Sequence, residues 1–231
     1  MIVDPLTLIH VGFYFFSREM EVFVAIAGNI GCGKTTLTRK LSERLACTPM
    51  YESVEDNPYL EDFYTDMNKY SFPLQIYFLN HRFKAHKKIE VSNFSAIQDR
   101  SIYEDAHIFA KNLYLQGKMT KRDFDNYFAL YKTIVTSLNP PTLMIFLKRS
   151  TEKLMERIKL RGRDCEKDIS PEYIGQLNDL YNQWYDNYDL GKHLIVETDD
   201  LDFLHNENDF ELLVQKIHDS IEQKDLFLTL Q

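Results

Sequence analysis

The chain has 231 residues, of which 44% are hydrophobic, enough to bury the core of one α/β domain without requiring a second. Its 27 Lys and Arg residues against 35 Asp and Glu residues give a net charge of −8 at pH 7, which argues against binding to nucleic acids or anionic membranes. The three cysteines, Cys32, Cys47 and Cys165, lack C-x-x-C spacing and are typical of reduced thiols in a cytoplasmic protein.

The first residues do not fit the pattern of the rest of the chain. Leu6–Phe16 is largely apolar but too short to span a bilayer, and Asp4 stands where a signal peptide carries positive charge. We therefore interpret residues 1–19 as an N-terminal extension and residues 20–231 as the domain. Met20 is an alternative start of the protein.

From residue 22 onward, short apolar runs alternate with helical patterns. Strands are predicted at Val22–Ala27, Pro49–Tyr51, Ser95–Asp99, Thr142–Leu147 and His193–Glu197. Helices are predicted at Gly33–Leu45, Pro58–Tyr70, Leu74–Val91, Tyr103–Leu115, Arg122–Ser137, Thr151–Leu160, Pro171–Tyr188 and Phe210–Ile221. This alternation predicts a three-layer α/β/α sandwich with a five-stranded parallel sheet, in which ligands bind beyond the carboxyl ends of the strands.

The first predicted strand runs into the pattern G-x-x-x-x-G-K-[ST] at Gly28–Thr35, a phosphate-binding loop, or P-loop. Its glycines let the backbone curl, so that amide groups cradle anionic oxygens. Lys34 would place a cation on the β- and γ-phosphates, and Thr35 would offer its hydroxyl to Mg²⁺. The residues predicted to contact the phosphates of ATP are Gly28, Asn29, Ile30, Gly31, Cys32, Gly33, Lys34, Thr35 and Thr36.

Two acidic residues follow predicted strands that would neighbour the P-loop strand. Asp99 ends the third strand in the triplet Asp99-Arg100-Ser101, where a carboxylate can hold Mg²⁺, although such acids are often helix caps. Glu52 follows the second strand and could accept a proton from an attacking hydroxyl. Taken alone, Glu52 fits a solvated loop acid better.

Gln75 and Arg82 are seven residues apart and therefore lie on one face of a predicted helix, two turns from each other. An amide and a guanidinium buried among aromatic residues are costly unless they bind something, such as the polar edge of a nucleobase. A polar stripe that faces solvent explains the same spacing equally well.

Arg157, Arg161 and Arg163 form a basic cluster at the end of a predicted helix. Gly162 permits a bend that would turn Arg163 inward. Guanidinium groups suit phosphoryl oxygens, so the cluster is consistent with a mobile lid over a phosphate site. Taken alone, it fits the ordinary preference of cations for a helix C-terminus better.

Together these segments resemble the deoxyribonucleoside kinase family over about residues 21–190. The matching stretches are Gly28–Thr35, Glu52, Tyr64, Gln75–Arg82, Asp99–Asp105, Ile108–Leu113 and Arg157–Glu166. The stretch Asp56–Leu60 is most similar to the bacterial branch that acts on deoxyadenosine or deoxyguanosine. Two positions depart from the family: Ser53 stands where Pro often follows the glutamate, and Cys165 replaces an acidic residue often found beside the glutamate matched by Glu166.

The resemblance implies a P-loop nucleoside triphosphate hydrolase-like kinase fold with a helical lid, and a role for each matched residue. Glu52 would be the general base on the sugar 5′-hydroxyl, oriented by Arg100, and Tyr64 and Glu166 would hold the 3′-hydroxyl. The edge of the base would be contacted by Gln75, Arg82 and Asp105, and Phe109 would stack on its face. The donor phosphates would be bound by Lys34 and by the lid residues Arg157, Arg161 and Arg163. Mg²⁺ would be held by Thr35 and Asp99.

The implied activity is ATP-dependent phosphorylation of a deoxynucleoside 5′-hydroxyl, with deoxyadenosine or deoxyguanosine favoured. Deoxycytidine stays open because cytosine offers a similar edge, and so does discrimination against ribose. Members of the family are usually homodimers, with Leu74–Val91 and Arg122–Ser137 as expected interface helices. One alternative is a thymidylate-kinase-like nucleoside monophosphate kinase, which would need a basic group where this chain has Glu52. The other is a non-catalytic ATP-binding regulatory module, which has no need for a nucleoside pocket.

Overall fold

The computed structural model describes residues 21–52, 57–163, 166–167 and 169–222. Its sheet contains five parallel strands: β1 Phe23–Gly28, β2 Thr48–Met50, β3 Ala96–Asp99, β4 Leu143–Lys148 and β5 His193–Glu197. Their order across the sheet is β2-β3-β1-β4-β5. The predicted strands are confirmed to within one residue at each end. The predicted N-terminal extension and the two departures from the family, Ser53 and Cys165, lie outside the described residues.

Helices cover both faces of the sheet, which confirms the three-layer sandwich. They are α1 Lys34–Leu45, α2 Leu60–Thr65, α3 Met67–Glu90, α4 Lys111–Leu115, α5 Lys121–Val135, α6 Thr151–Arg161, α7 Pro171–Asp186 and α8 Glu207–Glu222. A π-helical segment, Asp105–Ala110, leads directly into α4. Among the described residues, no helix combines the length and the apolar character needed to cross a membrane.

The central strand β1 contributes to two hydrophobic cores, one on each face of the sheet. Ala25 and Ala27 pack into the core that contains Trp184, whereas Val24 and Ile26 pack into the opposite core. This alternation follows from the period of two in strand side chains. Because β1 is packed on both faces, the position of its carboxyl end, where the next loop begins, is fixed.

The helix α3 runs without interruption through Pro73, where the sequence predicted a break between the helices Pro58–Tyr70 and Leu74–Val91. Proline removes one backbone hydrogen bond and typically costs about 3 kcal/mol inside a helix. The buried face of α3, which includes Leu74 and Leu79, stabilises the continuous helix against this cost. The first predicted helix is correspondingly shortened to α2, and Asp66 caps α3 by accepting a hydrogen bond from the Lys69 amide at 3.1 Å.

The helix predicted over Tyr103–Leu115 is wider than an α-helix along Asp105–Ala110. Asp105 and Phe109 line the cleft at the carboxyl edge of the sheet. On another side of the same segment, His107 stacks on Trp184 with ring centroids 6.3 Å apart. Single π-helical turns are frequent at functional sites.

Candidate active site

β1 ends in the P-loop, whose backbone requires glycine at its first position. Gly28 has a φ of +149°, and a Cβ there would lie 2.7 Å from the Leu147 carbonyl oxygen on β4. At the other end of the loop, Gly33 has a φ of +98° and immediately precedes α1. The loop therefore places the N-terminus of α1, the positive end of its dipole, at the edge of the cleft.

The side chains of the P-loop are held from two directions. The buried Lys34 ammonium donates hydrogen bonds to the carbonyls of Gly28 at 2.9 Å and Asn29 at 2.8 Å. The Asn29 amide donates to the Ile174 carbonyl at 3.0 Å and to the side-chain oxygen of Asn178 at 2.7 Å. Asn29 therefore ties the loop to α7, a structural contact that the sequence pattern did not predict.

Thr35 and Asp99, the two predicted magnesium ligands, lie together. The Thr35 hydroxyl donates a hydrogen bond to Oδ2 of Asp99. The other carboxylate oxygen, Oδ1, is buried and has no hydrogen-bond partner in the part of the chain that the structure describes. A hydroxyl beside a carboxylate with an unpaired oxygen is a donor set that suits Mg²⁺, so these residues fit the ion that the sequence predicts.

Glu52 lies between two arginines at the carboxyl edge of the sheet. Its Oε1 is paired with Arg82, and its Oε2 is 2.8 Å from Nε of Arg100. Burial alone would raise the pKa of the Glu52 carboxyl. The charges of Arg82 and Arg100, with a smaller effect of Lys34, instead lower this pKa to about 2. Glu52 is therefore an ion-paired carboxylate at neutral pH and not the solvated loop acid that its position alone suggested.

The two arginines connect Glu52 to further buried carboxylates. Arg82 is also paired with Asp105 of the π-helical segment, whose side chain is 1% exposed. Nη1 of Arg100 is 3.6 Å from Glu104, whose side chain is fully buried. Opposite charges therefore alternate along one chain of side chains, in the order Asp105, Arg82, Glu52, Arg100 and Glu104.

The cleft beside Glu52 contains a cavity of about 200 Å³. The predicted site residues that line it are Ile30, Gly31, Lys34, Thr35, Glu52, Tyr64, Gln75, Arg82, Asp99, Arg100, Asp105, Phe109, Arg161, Arg163 and Glu166. Gln75 is 5% exposed, and its Oε1 has no hydrogen-bond partner among the described residues. Gln75 and Arg82 are thus buried at the cavity, and the alternative of a solvent-facing polar stripe is wrong.

The three predicted lid arginines line two different cavities. Arg161 pairs with Glu166 at 2.6 and 3.0 Å, and Nη1 of Arg163 is 3.7 Å from the same carboxylate. Gly162, with a φ of +63°, provides the predicted bend between them. Arg157 instead lines a smaller cavity, together with Arg149, the segment 201–204 and the P-loop residues Gly31, Cys32, Gly33 and Thr36.

Several side chains of the site were not predicted. Six further residues line the main cavity: Leu60, Phe63, Leu74, Phe78, Leu113 and Tyr173. Phe78 lies between Gln75 and Arg82 on the same helical face, with the Arg82 guanidinium carbon 5.2 Å from the centre of its ring, so helical spacing was a usable signal. Glu104 and Tyr181 contact Arg100 from beneath the cavity. Tyr181 lies 81 residues from Arg100, and no local pattern connects the two.

A parallel sheet in this order, with a P-loop after its central strand and a carboxylate-lined cavity beside it, defines a P-loop kinase with a second, organic substrate. A family model described as deoxynucleoside kinase matches residues 24–222. The chain belongs to the deoxynucleoside kinase family, and the predicted phosphotransferase activity on a deoxynucleoside is confirmed.

Two relatives and one solved structure that are similar to the chain are named as deoxynucleoside kinases. The chain is 40% identical to a deoxyadenosine/deoxycytidine kinase of Bacillus subtilis, over 84% of this chain and 90% of that protein. It is 44% identical to a deoxyadenosine kinase of Dictyostelium discoideum, over 75% and 69% of the two chains. The structure of deoxyadenosine kinase from M. mycoides with dCMP and dCDP bound has a TM-score of 0.76, with 33% identity and coverage of 85% of this chain and 98% of that one.

Proposed function

We propose that this kinase transfers the γ-phosphoryl group of ATP to the 5′-hydroxyl of deoxyadenosine, with deoxyguanosine and deoxycytidine as weaker substrates. The observation that carries the proposal is the placement of Glu52 between the P-loop and the cavity that Gln75, Arg82 and Asp105 line. The relatives named deoxyadenosine kinase and deoxyadenosine/deoxycytidine kinase support the choice of base.

The polar groups of the cavity match the edge of adenine. Adenine and cytosine each place an amino donor beside a ring-nitrogen acceptor, and a glutamine carboxamide pairs with such an edge through two hydrogen bonds. The buried Oε1 of Gln75, which has no hydrogen-bond partner among the described residues, would accept a hydrogen bond from the amino group. Thymine presents carbonyl oxygens on both sides of its N3–H, and one of them would face the Asp105 carboxylate. Thymidine is therefore the substrate that this cavity should disfavour most.

The base preference can be measured directly. With ATP and Mg²⁺ present, kcat/KM should be highest for deoxyadenosine and lowest for thymidine. We expect the ratio to be about 100-fold or more, since a mismatched buried polar group costs roughly 1–3 kcal/mol per contact. Side-by-side initial rates with deoxyadenosine, deoxyguanosine, deoxycytidine and thymidine test this order. A thymidine optimum would refute the proposal for the base and leave the kinase assignment intact.

The donor half of the site supplies charge and position. Lys34, now bonded to loop carbonyls, would turn to the β- and γ-phosphates, and the N-terminus of α1 would face the same anion. Thr35 and Asp99 would hold Mg²⁺, which when bound offsets the negative charge of these phosphates. Arg161 and Arg163, paired with Glu166, lie at the cavity and can contact the transferring group from the lid.

On the acceptor side, we infer that Arg100 and Glu52 align the 5′-hydroxyl and that Glu52 accepts its proton. Arg100 holds one oxygen of Glu52 at 2.8 Å and thereby orients the carboxylate. Tyr64, which is 47% exposed, and Glu166 line the same cavity and would bind the 3′-hydroxyl. Phe109 lies beneath the Arg100 guanidinium, 4.7 Å from its carbon to the ring centre, and offers a face for the base.

We also propose that the enzyme is a homodimer formed through α3 and α5, which lie next to each other at the surface. Leu130 on α5 is 41% exposed. Leu130→Asp should therefore shift the protein from twice the chain mass to the chain mass in sedimentation velocity, because a carboxylate cannot be buried unpaired in an apolar interface. Leu212→Asp on α8, where Leu212 is 53% exposed, is the matched control and should stay dimeric. A dimeric Leu130→Asp protein would exclude this interface.

A further inference from the structure

Glu104 is a fully buried carboxylate that has no proposed contact with either substrate. Its side chain is 0% exposed and does not line the cavity. Oε1 accepts a hydrogen bond from the Ser101 amide at 2.8 Å, and Oε2 accepts one from the Tyr181 hydroxyl at 2.5 Å. An ionised side chain in such a position is costly unless its partners compensate it, so its contacts indicate what it does.

The partners of Glu104 converge on Arg100. Nη1 of Arg100 donates a hydrogen bond to the Tyr181 hydroxyl at 3.2 Å and is 3.6 Å from Oε2 of Glu104. The Tyr181 hydroxyl thus accepts from Arg100 and donates to Glu104. Burial, together with the charge of Glu104, raises the pKa of Tyr181 well above its ordinary value, so the hydroxyl keeps the proton that this arrangement needs.

The backbone of Arg100 is anchored to the sheet in an unusual conformation, but this does not fix the position of its guanidinium. Its φ of +67° lies in the left-handed region, which non-glycine residues rarely adopt. The Arg100 amide donates to the Ile26 carbonyl at 3.0 Å and so ties the residue to β1. That bond does not fix the guanidinium at the end of a flexible side chain. The contacts that do are with Glu52, Glu104, Tyr181 and the Phe109 ring.

We propose that Glu104 and Tyr181 are positioning residues that hold the Arg100 guanidinium so that its Nε faces Glu52. With Nη1 engaged by Tyr181 and Glu104, rotation of the guanidinium away from Glu52 would break both of these contacts. Arg100 then orients Glu52 through one nitrogen and shares its charge between two carboxylates. Loss of this support should reduce the alignment of the 5′-hydroxyl more than the affinity for the nucleoside. The inference rests on the proposed roles of Glu52 and Arg100.

Tyr181→Phe tests the proposal because it removes one hydroxyl and keeps the ring. We expect kcat to fall about tenfold, as for loss of a hydrogen bond to a charged group, while the Kd of deoxyadenosine changes less than about twofold. Tyr188→Phe is the matched control: Tyr188 is 7% exposed, and its hydroxyl has no hydrogen-bond partner among the described residues. Its kcat should equal that of the unmodified enzyme.

A second set of variants separates positioning from a structural effect. In the Glu52→Gln background, adding Tyr181→Phe should lower kcat less than about twofold, because the residue through which Tyr181 acts is already lost. Glu104→Gln should reproduce the selective loss of kcat. An equal kcat for Tyr181→Phe and Tyr188→Phe, or a full tenfold loss in the Glu52→Gln background, would overturn the inference. Near-normal turnover of Glu52→Gln alone would instead overturn the role proposed for Glu52.

Discussion

A Glu52→Gln enzyme should bind deoxyadenosine nearly as well as the unmodified enzyme and turn it over at least about 100-fold more slowly. The amide keeps the size of the side chain and an oxygen for Arg100, but it cannot accept the proton of the 5′-hydroxyl. That proton becomes acidic as the new P–O bond forms, so a carboxylate with a pKa of about 2 still serves as its acceptor. Single-turnover rates and the Kd of deoxyadenosine together measure the two effects.

The matched control for Glu52→Gln is Glu61→Gln, which neutralises an exposed carboxylate on α2. It should leave both the turnover and the Kd unchanged. If Glu52→Gln instead raises the Kd of deoxyadenosine tenfold and leaves single-turnover rates intact, Glu52 binds the nucleoside and is not the general base. The two outcomes separate because the measurement isolates the chemical step from binding.

The sequence predicted the sheet and the P-loop well because both depend on local patterns. The strand at Phe23–Gly28 is a continuous apolar run, and Gly28–Thr35 carries its glycines at fixed offsets. These signals are contained within a few residues, and no distant contact is needed to interpret them. The parallel direction of the strands then follows from the helices between them, whereas their order across the sheet was not predicted.

The details that the sequence did not predict are set by tertiary contacts. Proline signals a helix break, yet Pro73 lies within α3 because the buried face of that helix outweighs one lost hydrogen bond. The π-helical turn at Asp105–Ala110 has no composition that distinguishes it from an α-helix. Arg157 and Arg161 were grouped by their spacing on one helix and by the resemblance to the family, but they line different cavities.

In the candidate site, too, local patterns predicted some features and tertiary contacts decided the others. Gln75 and Arg82 could be paired from helical spacing, but spacing gave no means to decide whether their face was buried. Only the packing of α3 against the rest of the domain places both at the cavity. The contact between Arg82 and Asp105 joins two helical segments. The sequence placed both residues at the base only through the resemblance to the family, because no local signal connects them.

The alternating charges of the site should make Arg82 important for stability as well as for binding. Arg82→Met removes the cation between Glu52 and Asp105 and leaves two carboxylates buried near each other. Breaking a buried ion pair on one side typically costs about 3–5 kcal/mol, so we expect the midpoint of thermal unfolding to fall by roughly 10 °C at pH 7. The KM for deoxyadenosine should rise about 100-fold, since the base loses a contact and the cavity gains uncompensated charge.

The pH dependence of unfolding gives this prediction a second readout. In the unmodified enzyme the pKa of Glu52 is lowered from 4.5 to about 2, so the stability that Glu52 contributes is present above pH 4.5 and is lost as the pH falls toward 2. By linkage this contribution is about 3 kcal/mol. In Arg82→Met the principal opposing charge is gone and burial persists, which raises the pKa of Glu52. The loss of stability on acidification should therefore begin at a higher pH in the variant than in the unmodified enzyme.

Arg44→Met is the matched control for Arg82→Met, because Arg44 also pairs with a carboxylate, that of Glu211, but at the surface. An exposed pair of this kind contributes about 0–1 kcal/mol, so the thermal midpoint should change by no more than a few degrees. Differential scanning fluorimetry between pH 3 and pH 8 compares the two variants on one scale. Equal effects of Arg82→Met and Arg44→Met at pH 7 would contradict the importance assigned to the buried pairing. A midpoint that depends on pH identically in Arg82→Met and in the unmodified enzyme would show that Arg82 does not set the ionisation of Glu52.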